Sequence, residues 1–493
     1  MPSVAVNLYR SIMKGTALFG GTQMVSILAN VLRGKMVAVL LLSAGLGISS
    51  LYMSTLLPLQ QLFSMGMPIA VVSAIAAVSV TTDEGRSEVA ARITAFRRTL
   101  LVLALLGVAF MVMTAPLLSQ FTFDSSEYTL AYVCLSAALF FLIMESGETA
   151  ILQARRSMKQ VAMRGVVNAL ASLCVGVPFY WWLGTGGIVP AIILSAAVVW
   201  GYSRYQTHKL GMKQSGQSWR TTWTLSRGII ALGFFMMLAA LLGNVTSYLI
   251  NTSIRHFGSL SDVGLYQAST SITSQYVGLV FAAMATDYYP RLSSVTERLE
   301  DVQRLVRQEL ELVLLIVTPL VLLLIVTAPL LIRILLTEEF LPLTGVVRLT
   351  GLSIICKAAS FSLDYVSMAY GRKRYFFWME GVWCNAKTFV IVVAFYYAMG
   401  IEGIGWAMLV NGLVDVVVAT VMTQWVFSVS TWRLQLRYFL PLLLGVSLCA
   451  ALSFSPSPWM AWGGMSLCAV ALCAFCIWLL ARRVHLMEWL RNR

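Results

Sequence analysis

The sequence has little charge and no long polar stretch. Only 11% of its 493 residues are Asp, Glu, Lys or Arg, only three are histidine, and no hydrophilic stretch reaches 30 residues. Hydrophobic residues make up 59% of the chain and the mean hydropathy is +0.80. These features exclude a soluble protein and a separate soluble domain, and a cleavable signal peptide is not expected at the amino terminus. Apolar segments of 18 or more residues recur instead, and in lipid they must be helices.

The sequence also lacks the motifs of nucleotide and cofactor chemistry. It contains no phosphate-cradling loop and no nucleophile elbow. All eight cysteines fall in predicted spans, and the Cys473–Cys476 pair lies in an apolar helix, so we expect no disulfide or metal framework. The sequence therefore predicts a protein that is not an enzyme, uses no cofactor and does not hydrolyse ATP.

Hydropathy predicts an all-α polytopic membrane protein with fourteen transmembrane helices. The predicted spans are residues 14–42, 47–80, 99–119, 128–153, 165–183, 187–203, 229–251, 263–289, 309–335, 343–370, 376–398, 403–427, 437–453 and 460–480. The termini and alternate connections carry 28 of the 35 Lys and Arg residues. This asymmetry places both termini in the cytoplasm. It explains the net charge of +14 by topology, so nucleic acid is not an expected partner.

A shift of 216 to 217 residues superimposes the first half of the chain on the second. Residues 183–191 (LGTGGIVPA) match residues 399–407 (MGIEGIGWA), and Arg156 falls on Arg372. Each repeat holds six spans, so both halves keep one orientation across the membrane. We predict a first lobe over residues 1–210, a second over 211–430, and a two-helix appendage with a cytoplasmic tail over 431–493.

Two cytoplasmic segments occupy matching places in the two halves, at residues 81–98 and 293–311. Residues 294–297 (SVTE) form a capping-box pattern, and Leu299, Val302, Val306 and Leu310 then follow one helical face. The pattern predicts an interfacial helix on the inner leaflet, with a solvated connector as the alternative.

Two cations, Arg33 and Lys35, lie inside an otherwise apolar run, residues 25–42. A cation at the centre of a span costs about 3 kcal/mol on insertion scales. Two explanations are open. Both side chains snorkel to the headgroups from the end of a shorter helix, or they line a polar cavity and hold an anionic substrate, which is our working hypothesis.

Residues 33–47 (RGKMVAVLLLSAGLG) resemble the first-span signature of the polysaccharide-transporter flippases, in which a glycine-rich turn separates the first two helices. Residues 151–156 (ILQARR) and 182–191 (WLGTGGIVPA) are similar to a second stretch of these proteins. The chain most resembles the O-antigen and enterobacterial-common-antigen repeat-unit flippases. The resemblance implies the multidrug/oligosaccharidyl-lipid/polysaccharide exporter superfamily and two six-helix lobes around a cavity that opens alternately to either side.

The resemblance implies a flippase for polyprenyl-pyrophosphate-linked oligosaccharides in the bacterial cytoplasmic membrane. Its expected partners are the lipid-linked oligosaccharide, membrane lipids, and a proton or sodium ion that couples transport. An organic-cation antiporter of the same superfamily and a peptidoglycan-precursor (lipid II) flippase are the alternatives. A membrane glycosyltransferase or polymerase is a further class, but it would need a large extracytoplasmic loop or a catalytic domain.

Polar residues in the spans supply the candidate site. Hydroxyls and amides suit sugar hydroxyls, whereas Arg33 and Lys35 suit a phosphate, which Arg binds in a bidentate manner. The predicted substrate-binding residues are Asn30, Arg33, Lys35, Asn251, Gln267, Ser271 and Gln275.

Buried acids are the candidates for ion coupling. We predict this role for Glu145 and Glu148, which lie one turn apart, and for Asp364, the repeat mate of Glu148 at a shift of 216. The alternative is that each acid forms a static ion pair within one lobe. Lys357, seven residues before Asp364 on the same face, is a candidate partner.

Overall fold

The computed structural model describes residues 2–76, 78, 82–210, 216, 218–453, 455, 457 and 459–484; the side chains of residues 2–27 and of a few later positions lie outside this description. Helices account for nearly all of the described residues, and no strand occurs among them. The predicted all-α fold is therefore confirmed. By its contacts the chain forms two compact units, Met1–Val263 and Gly264–Arg493.

The first unit holds seven helices and the start of an eighth. They are α1 (Pro2–Ser64), α2 (Met67–Ala76), α3 (Asp83–Phe123), α4 (Thr129–Ala154), α5 (Met158–Leu183), a 3₁₀ turn (Gly184–Gly187), α6 (Ile188–Lys209), α7 (Trp219–Phe257) and the start of α8 (Leu260–Ser293).

The second unit holds the rest of α8 and the remaining helices. These are α9 (Leu299–Leu335), a 3₁₀ turn (Glu338–Leu343), α10 (Thr344–Ala369), α11 (Lys373–Phe376), a π-helical segment (Phe377–Trp383), α12 (Cys384–Met399), α13 (Ile401–Phe427), α14 (Trp432–Leu434), π-helical residues Gln435–Phe439, α15 (Leu440–Leu452), π-helical residues Trp459–Gly464 and α16 (Met465–Val484).

Ten helical segments of the described chain are long and apolar enough to cross a bilayer. Two of them hold a break and hence two crossings, because Leu28–Ser64 is interrupted at Leu42 and Met158–Lys209 contains the Gly184–Gly187 turn. Helices α7 and α8, with 39 and 34 residues, also exceed the length of a span. The described helices are thus consistent with the fourteen predicted spans. Between the predicted spans 14–42 and 47–80, the helix is interrupted only at Leu42, whose φ is 57° and ψ −167°.

Helix α7 belongs to the first unit by its contacts, although the repeat assigns it to the second lobe. The Thr99 and Ser226 hydroxyls are 2.7 Å apart, and the Thr122 hydroxyl is 2.8 Å from that of Tyr248. These contacts lie near the two ends of α7 and join it to α3. The lobe boundaries at residues 210 and 430 follow the repeat and stay predictions, whereas the contacts divide the chain after Val263.

The interfacial helix predicted at residues 293–311 is not a separate helix, because α9 runs unbroken from Leu299 to Leu335 into a span. The matching segment of the first half is likewise continuous with a span in α3, from Asp83 to Phe123. Of the predicted apolar face, Leu299 is 40% exposed, whereas Val302, Val306 and Leu310 are fully buried and pack on protein.

The predicted capping box at residues 294–297 is also wrong. The helix begins later, at Leu299, and its N-cap residue Arg298 makes no side-chain cap bond. The matching start of α3 is capped, since the Thr82 hydroxyl accepts a hydrogen bond from the Gly85 amide at 3.2 Å.

A duplicated turn confirms the repeat. Gly184 (φ 55°) follows α5 and Gly400 (φ 64°) follows α12, and the amide of each donates to a tyrosine carbonyl four residues earlier. Three residues further on, a Cβ at Gly187 or Gly403 would overlap the carbonyl of a phenylalanine of the preceding helix. Each element of this turn recurs at a shift of 216. Glycine permits the left-handed backbone at the first position and the close approach of the carbonyl at the second.

The preceding helix pair follows a shift of 215. Helices α4 and α10 both end one residue before a short turn with a left-handed residue, Arg156 (φ 54°) in the first and Gly371 (φ 64°) in the second. Glu148 therefore matches Leu363, and the predicted pairing of Glu148 with Asp364 is out of register by one residue.

The change from 215 to 216 requires one extra residue between these two turns in the second half. Helix α5 has 26 residues, whereas the matching stretch from Lys373 to Met399 has 27. That stretch contains the π-helical segment Phe377–Trp383, after which the Cys384 amide bonds to the carbonyl five residues earlier. An inserted residue in an α-helix produces this wider turn. The π-helical segment is therefore the site of the insertion.

A buried arginine joins α9 to α10. Pro329 has no amide hydrogen, so the Ile325 carbonyl loses its helical partner. The Arg348 Nε donates to this carbonyl at 3.3 Å, and Arg348 is 9% exposed. The appended α15 and α16 pack on the same part of the unit, as α15 contacts α9 and α10 and α16 contacts α9.

Candidate functional site

Arg33 and Lys35 lie on α1, half-buried, with Asn30 exposed one turn earlier. Arg33 is nine residues before the break at Leu42, which corresponds to about 13 Å along the helix. Its guanidinium lies beside the buried phenol of Tyr180 on α5. A Cβ at the intervening Gly34 would meet no atom within 4 Å, so α1 has open space on this side.

Glu148 lies at the centre of a buried ion network in the first unit. The Arg97 Nε donates to its Oε1 at 2.9 Å and the Arg97 Nη2 to its Oε2, while Arg204 binds Oε1 at 3.0 Å. Thr207 donates to Oε2 and accepts from Arg97. Glu148 is 2% exposed, and both of its oxygens are engaged.

Glu145 is also ion-paired within the first unit. Arg164 binds its Oε1, and the Thr149 hydroxyl donates to the same oxygen at 2.6 Å. The structure thus shows, for both acids, the contacts that the static ion-pair alternative describes. Their role in ion coupling stays a prediction.

Asp364 lies in a cavity of the second unit and pairs with Lys357 at 3.0 Å, which confirms the partner predicted from the seven-residue spacing. A second pair joins Lys387 of α12 to Asp415 of α13. The amide of Asn411 approaches Asp415 Oδ2 at 3.5 Å. Asp364, Lys357 and Asp415 all line the cavity.

Glu380 contributes a third carboxylate to this cavity. It lies in the π-helical segment, and Asn385 binds the widened turn by donating to the Gly381 carbonyl at 2.7 Å. No ion pair to Glu380 occurs within the described part of the chain. It is therefore a carboxyl group in excess of the two lysine–aspartate pairs.

Aromatic side chains line the remainder of the cavity. Tyr375, Trp383 and Phe427 contribute, and the Tyr375 and Phe427 rings are 5.4 Å apart in an edge-to-face arrangement. Trp383 is 47% exposed, whereas Phe427 is buried. Sequence reasoning missed these residues, because an aromatic in an apolar span gives no signal of its own.

The remaining predicted site residues are dispersed. Gln267 donates to the Ser271 hydroxyl at 3.3 Å, one turn along α8. Asn251 is buried on α7, and its Oδ1 has no hydrogen-bond partner among the described residues. The side chain of Gln275 lies outside the described residues.

Residues 78–345 match the model of a family described as polysaccharide biosynthesis protein. This match covers more than half of the chain. The protein belongs to this family. The predicted family resemblance is thereby confirmed at this level. No curated protein sequence matches the chain.

Solved structures share its fold. A lipid II flippase, MurJ, in an inward closed conformation aligns with a TM-score of 0.71 and 12% identity over 95% of this chain and 99% of the other. An inward-facing multidrug-resistance MATE transporter of the MOP superfamily aligns with a TM-score of 0.67 and 14% identity, over 86% and 95%. A MOP-superfamily transporter from Pyrococcus furiosus gives a TM-score of 0.56 and 13% identity, over 82% and 94%. The protein is thus a multi-pass membrane protein with a fold found in flippases and transporters.

Proposed function

We propose that this family member is a flippase that moves polyprenyl-pyrophosphate-linked oligosaccharides across the bacterial cytoplasmic membrane, with both termini in the cytoplasm. The family is one of polysaccharide biosynthesis, and the fold occurs in a lipid II flippase. Each cycle exposes the bound headgroup to one side and then the other, while the prenyl chain stays in lipid. The protein catalyses no covalent step.

The observation that carries this proposal is the pair of cations in α1. Arg33 lies about 13 Å from the end of its helix, which is too far for a simple position at the membrane surface. A phosphate oxygen 4 Å from one cation gains about 4 kcal/mol at an effective dielectric constant near 20, before desolvation. Arg33 and Lys35 therefore form the pyrophosphate site, with Asn30 beside them.

The repeat makes this site one-sided. At a shift of 217, Arg33 and Lys35 correspond to Ile250 and Thr252, neither of which carries charge. The phosphate therefore binds against α1, and the polar residues of α7 and α8, among them Asn251 and Gln267, are left for the sugars.

Proton or sodium coupling is assigned first to Asp364. Its side chain is 22% exposed at a cavity and has one ion partner, whereas Glu148 is buried with two arginines. A carboxylate that ions can reach is better placed to exchange a proton or a sodium ion. Glu145 and Glu148 are weaker candidates for this role.

One observation favours a second candidate function, an organic-cation antiporter. The cavity of the second unit has an excess carboxylate, Glu380, and aromatic walls that suit an organic ammonium ion. The cations of α1 would have no role in such a transporter. A lipid II flippase is the remaining alternative, and it differs only in the sugar-peptide headgroup it carries.

The test is to deplete the protein and identify by mass spectrometry the lipid-linked intermediate that accumulates in the cell. An oligosaccharide on polyprenyl pyrophosphate supports the proposal, and a lipid II precursor identifies the other flippase. Arg33→Ala should reproduce the accumulation and Arg33→Lys should relieve part of it, since charge remains without bidentate geometry.

Thr252→Val is the matched control, because Thr252 is the uncharged residue that corresponds to Lys35 in the repeat and valine keeps the size of its buried side chain. It should export normally. Normal export by Arg33→Ala at matched protein levels would refute the anion site and favour the antiporter.

A further inference from the structure

The cavity of the second unit carries a set of groups that neither a phosphate nor a purely structural ion pair explains. It is lined by three carboxylates, one ammonium group and three aromatic rings, all from α10 to α13. Charged side chains within the spans of a membrane protein face the interior of the helix bundle or a water-filled cavity, and they mark substrate or ion pathways. Here the Lys357 side chain is 54% exposed and that of Asp364 is 22% exposed, so the pair is open to a ligand.

The carboxyl groups make phosphate a poor occupant. Asp364 and Asp415 are each paired with a lysine, and Glu380 adds a third carboxyl group that forms no ion pair among the described residues. A phosphate beside these carboxylates would be repelled. The substrate group that binds here must therefore be uncharged or cationic.

The arrangement of donors and acceptors favours an uncharged polyol. Lys357 presents ammonium hydrogens, and Asp364, Glu380 and Asp415 present acceptor oxygens in the cavity lining. Neighbouring ring hydroxyls both donate and accept, and their hydrogen bonds to a carboxylate are short and strong. A cation as the sole ligand would use only the acceptors and would leave the Lys357 ammonium group without a role.

The aromatic residues supply the second half of a sugar-binding surface. Trp383 is 47% exposed, and both Trp383 and Tyr375 line the cavity. An aromatic face packs against the apolar C–H face of a pyranose ring. The cavity is open, and its volume accessible to water is about 40 Å³, which is room for about three water molecules, so the edge of the ring enters while the ring itself lies over Trp383.

The one-residue insertion builds this surface. The π-helical segment Phe377–Trp383 contains Glu380 and Trp383, and the matching helix α5 of the first unit has no such turn. π-helical turns recur at functional sites because they redirect side chains out of the regular α-helical pattern. The second unit has therefore acquired a feature that the packing of the repeat does not require.

We propose that this cavity binds one neutral sugar ring of the transported oligosaccharide, with Trp383 as the stacking platform and Glu380, Asp364 and Lys357 as the hydrogen-bonding groups. This inference rests on the proposed flippase function and adds one sugar subsite to the contacts proposed for α7 and α8.

The experiment uses the purified full-length protein in nanodiscs and saturation-transfer-difference NMR. The probe is N-acetylglucosamine, a neutral monosaccharide, and it is compared with glucosamine, which carries an ammonium group. Three variants are made: Trp383→Leu, Glu380→Gln and the control Trp425→Leu, whose side chain is on α13 but 80% exposed and outside the cavity lining. Trp383→Phe keeps an aromatic ring if the leucine variant fails to fold.

We expect saturable ring-proton signals from N-acetylglucosamine with the wild-type protein and with Trp425→Leu. Glu380→Gln should weaken the binding about tenfold, and Trp383→Leu should abolish the ring-proton signals, with Trp383→Phe intermediate. Equal signals in all variants would overturn the proposal. Saturable binding of glucosamine without any binding of N-acetylglucosamine would identify an ammonium site and would also overturn the proposal.

The two proposals fail separately. If depletion causes no lipid-linked oligosaccharide to accumulate, the flippase function is wrong whatever the cavity binds. If the intermediate accumulates but N-acetylglucosamine gives no saturable signal, only the subsite is wrong.

Discussion

The residues that bind Glu148 should differ in how much each contributes to the free energy of unfolding. Glu148 is 2% exposed and Arg97 8%, so removal of Glu148 leaves the buried Arg97 charge uncompensated, whereas removal of Arg97 leaves Glu148 with only the more exposed Arg204. Glu148→Ala should lower the free energy of unfolding by about 3–5 kcal/mol, and Arg97→Ala should lie at the lower end of this range. Thr207→Val removes a hydroxyl that bonds to both, which should cost about 1.5–3 kcal/mol. Arg204→Ala should cost about 1 kcal/mol or less, because the Arg204 side chain is 36% exposed and screened.

The assay is unfolding of the purified protein in detergent, followed by tryptophan fluorescence against denaturant concentration. The exposed Glu127→Ala is the control and should change the unfolding free energy by less than about 0.5 kcal/mol. A triple variant, Arg97→Met with Glu148→Leu and Arg204→Met, removes every charge of the network and should recover most of the loss. Wild-type unfolding of Glu148→Ala would refute the reasoning. A changed ion dependence of transport in Glu148→Gln, at unchanged stability, would instead establish the coupling role.

Two further predictions concern backbone and topology. Gly187→Ala should destabilise the protein by about 1–3 kcal/mol, because its Cβ would overlap a backbone carbonyl. Gly186→Ala should leave the stability unchanged, because no atom lies within 4 Å of its Cβ. Melting curves of the two variants test this, and equal losses of stability would contradict the packing argument. Reporter fusions after Arg220 and Arg493 should report the cytoplasm and one after His256 the exterior. An exterior carboxyl terminus would mean that one span is miscounted, most readily in the 437–480 hairpin.

The sequence predicted those features that depend on local spacing. The pairing of Lys357 with Asp364 follows from seven residues on one helix, and the glycine turn follows from an aligned repeat. Hydropathy predicted the helices, because lipid leaves the backbone no other choice.

The contacts between helices distant in sequence could not be predicted. Arg97 and Arg204 belong to the cytoplasmic clusters of cations that the topology of the chain predicts. Nothing in their spacing along the sequence indicates that both bind Glu148. The extra residue in the π-helical segment of the second half could not be predicted either. Sequence matches at a shift of 216 occur both before and after this segment, so the sequence alone shows no change of register. Only the left-handed residues Arg156 and Gly371 reveal the change of register.

The contact of Arg348 with the Ile325 carbonyl has a consequence for how α9 can vary. Pro329 is usually regarded as the cause of a bend, yet here it also frees the acceptor that a buried guanidinium uses. Restoring an amide hydrogen with Pro329→Ala would give that carbonyl back to its own helix and remove a ligand from the cation. Pro329 and Arg348 are thus interdependent, because both act on the carbonyl oxygen of Ile325. A viable sequence should keep both or exchange both together, as a single inherited unit.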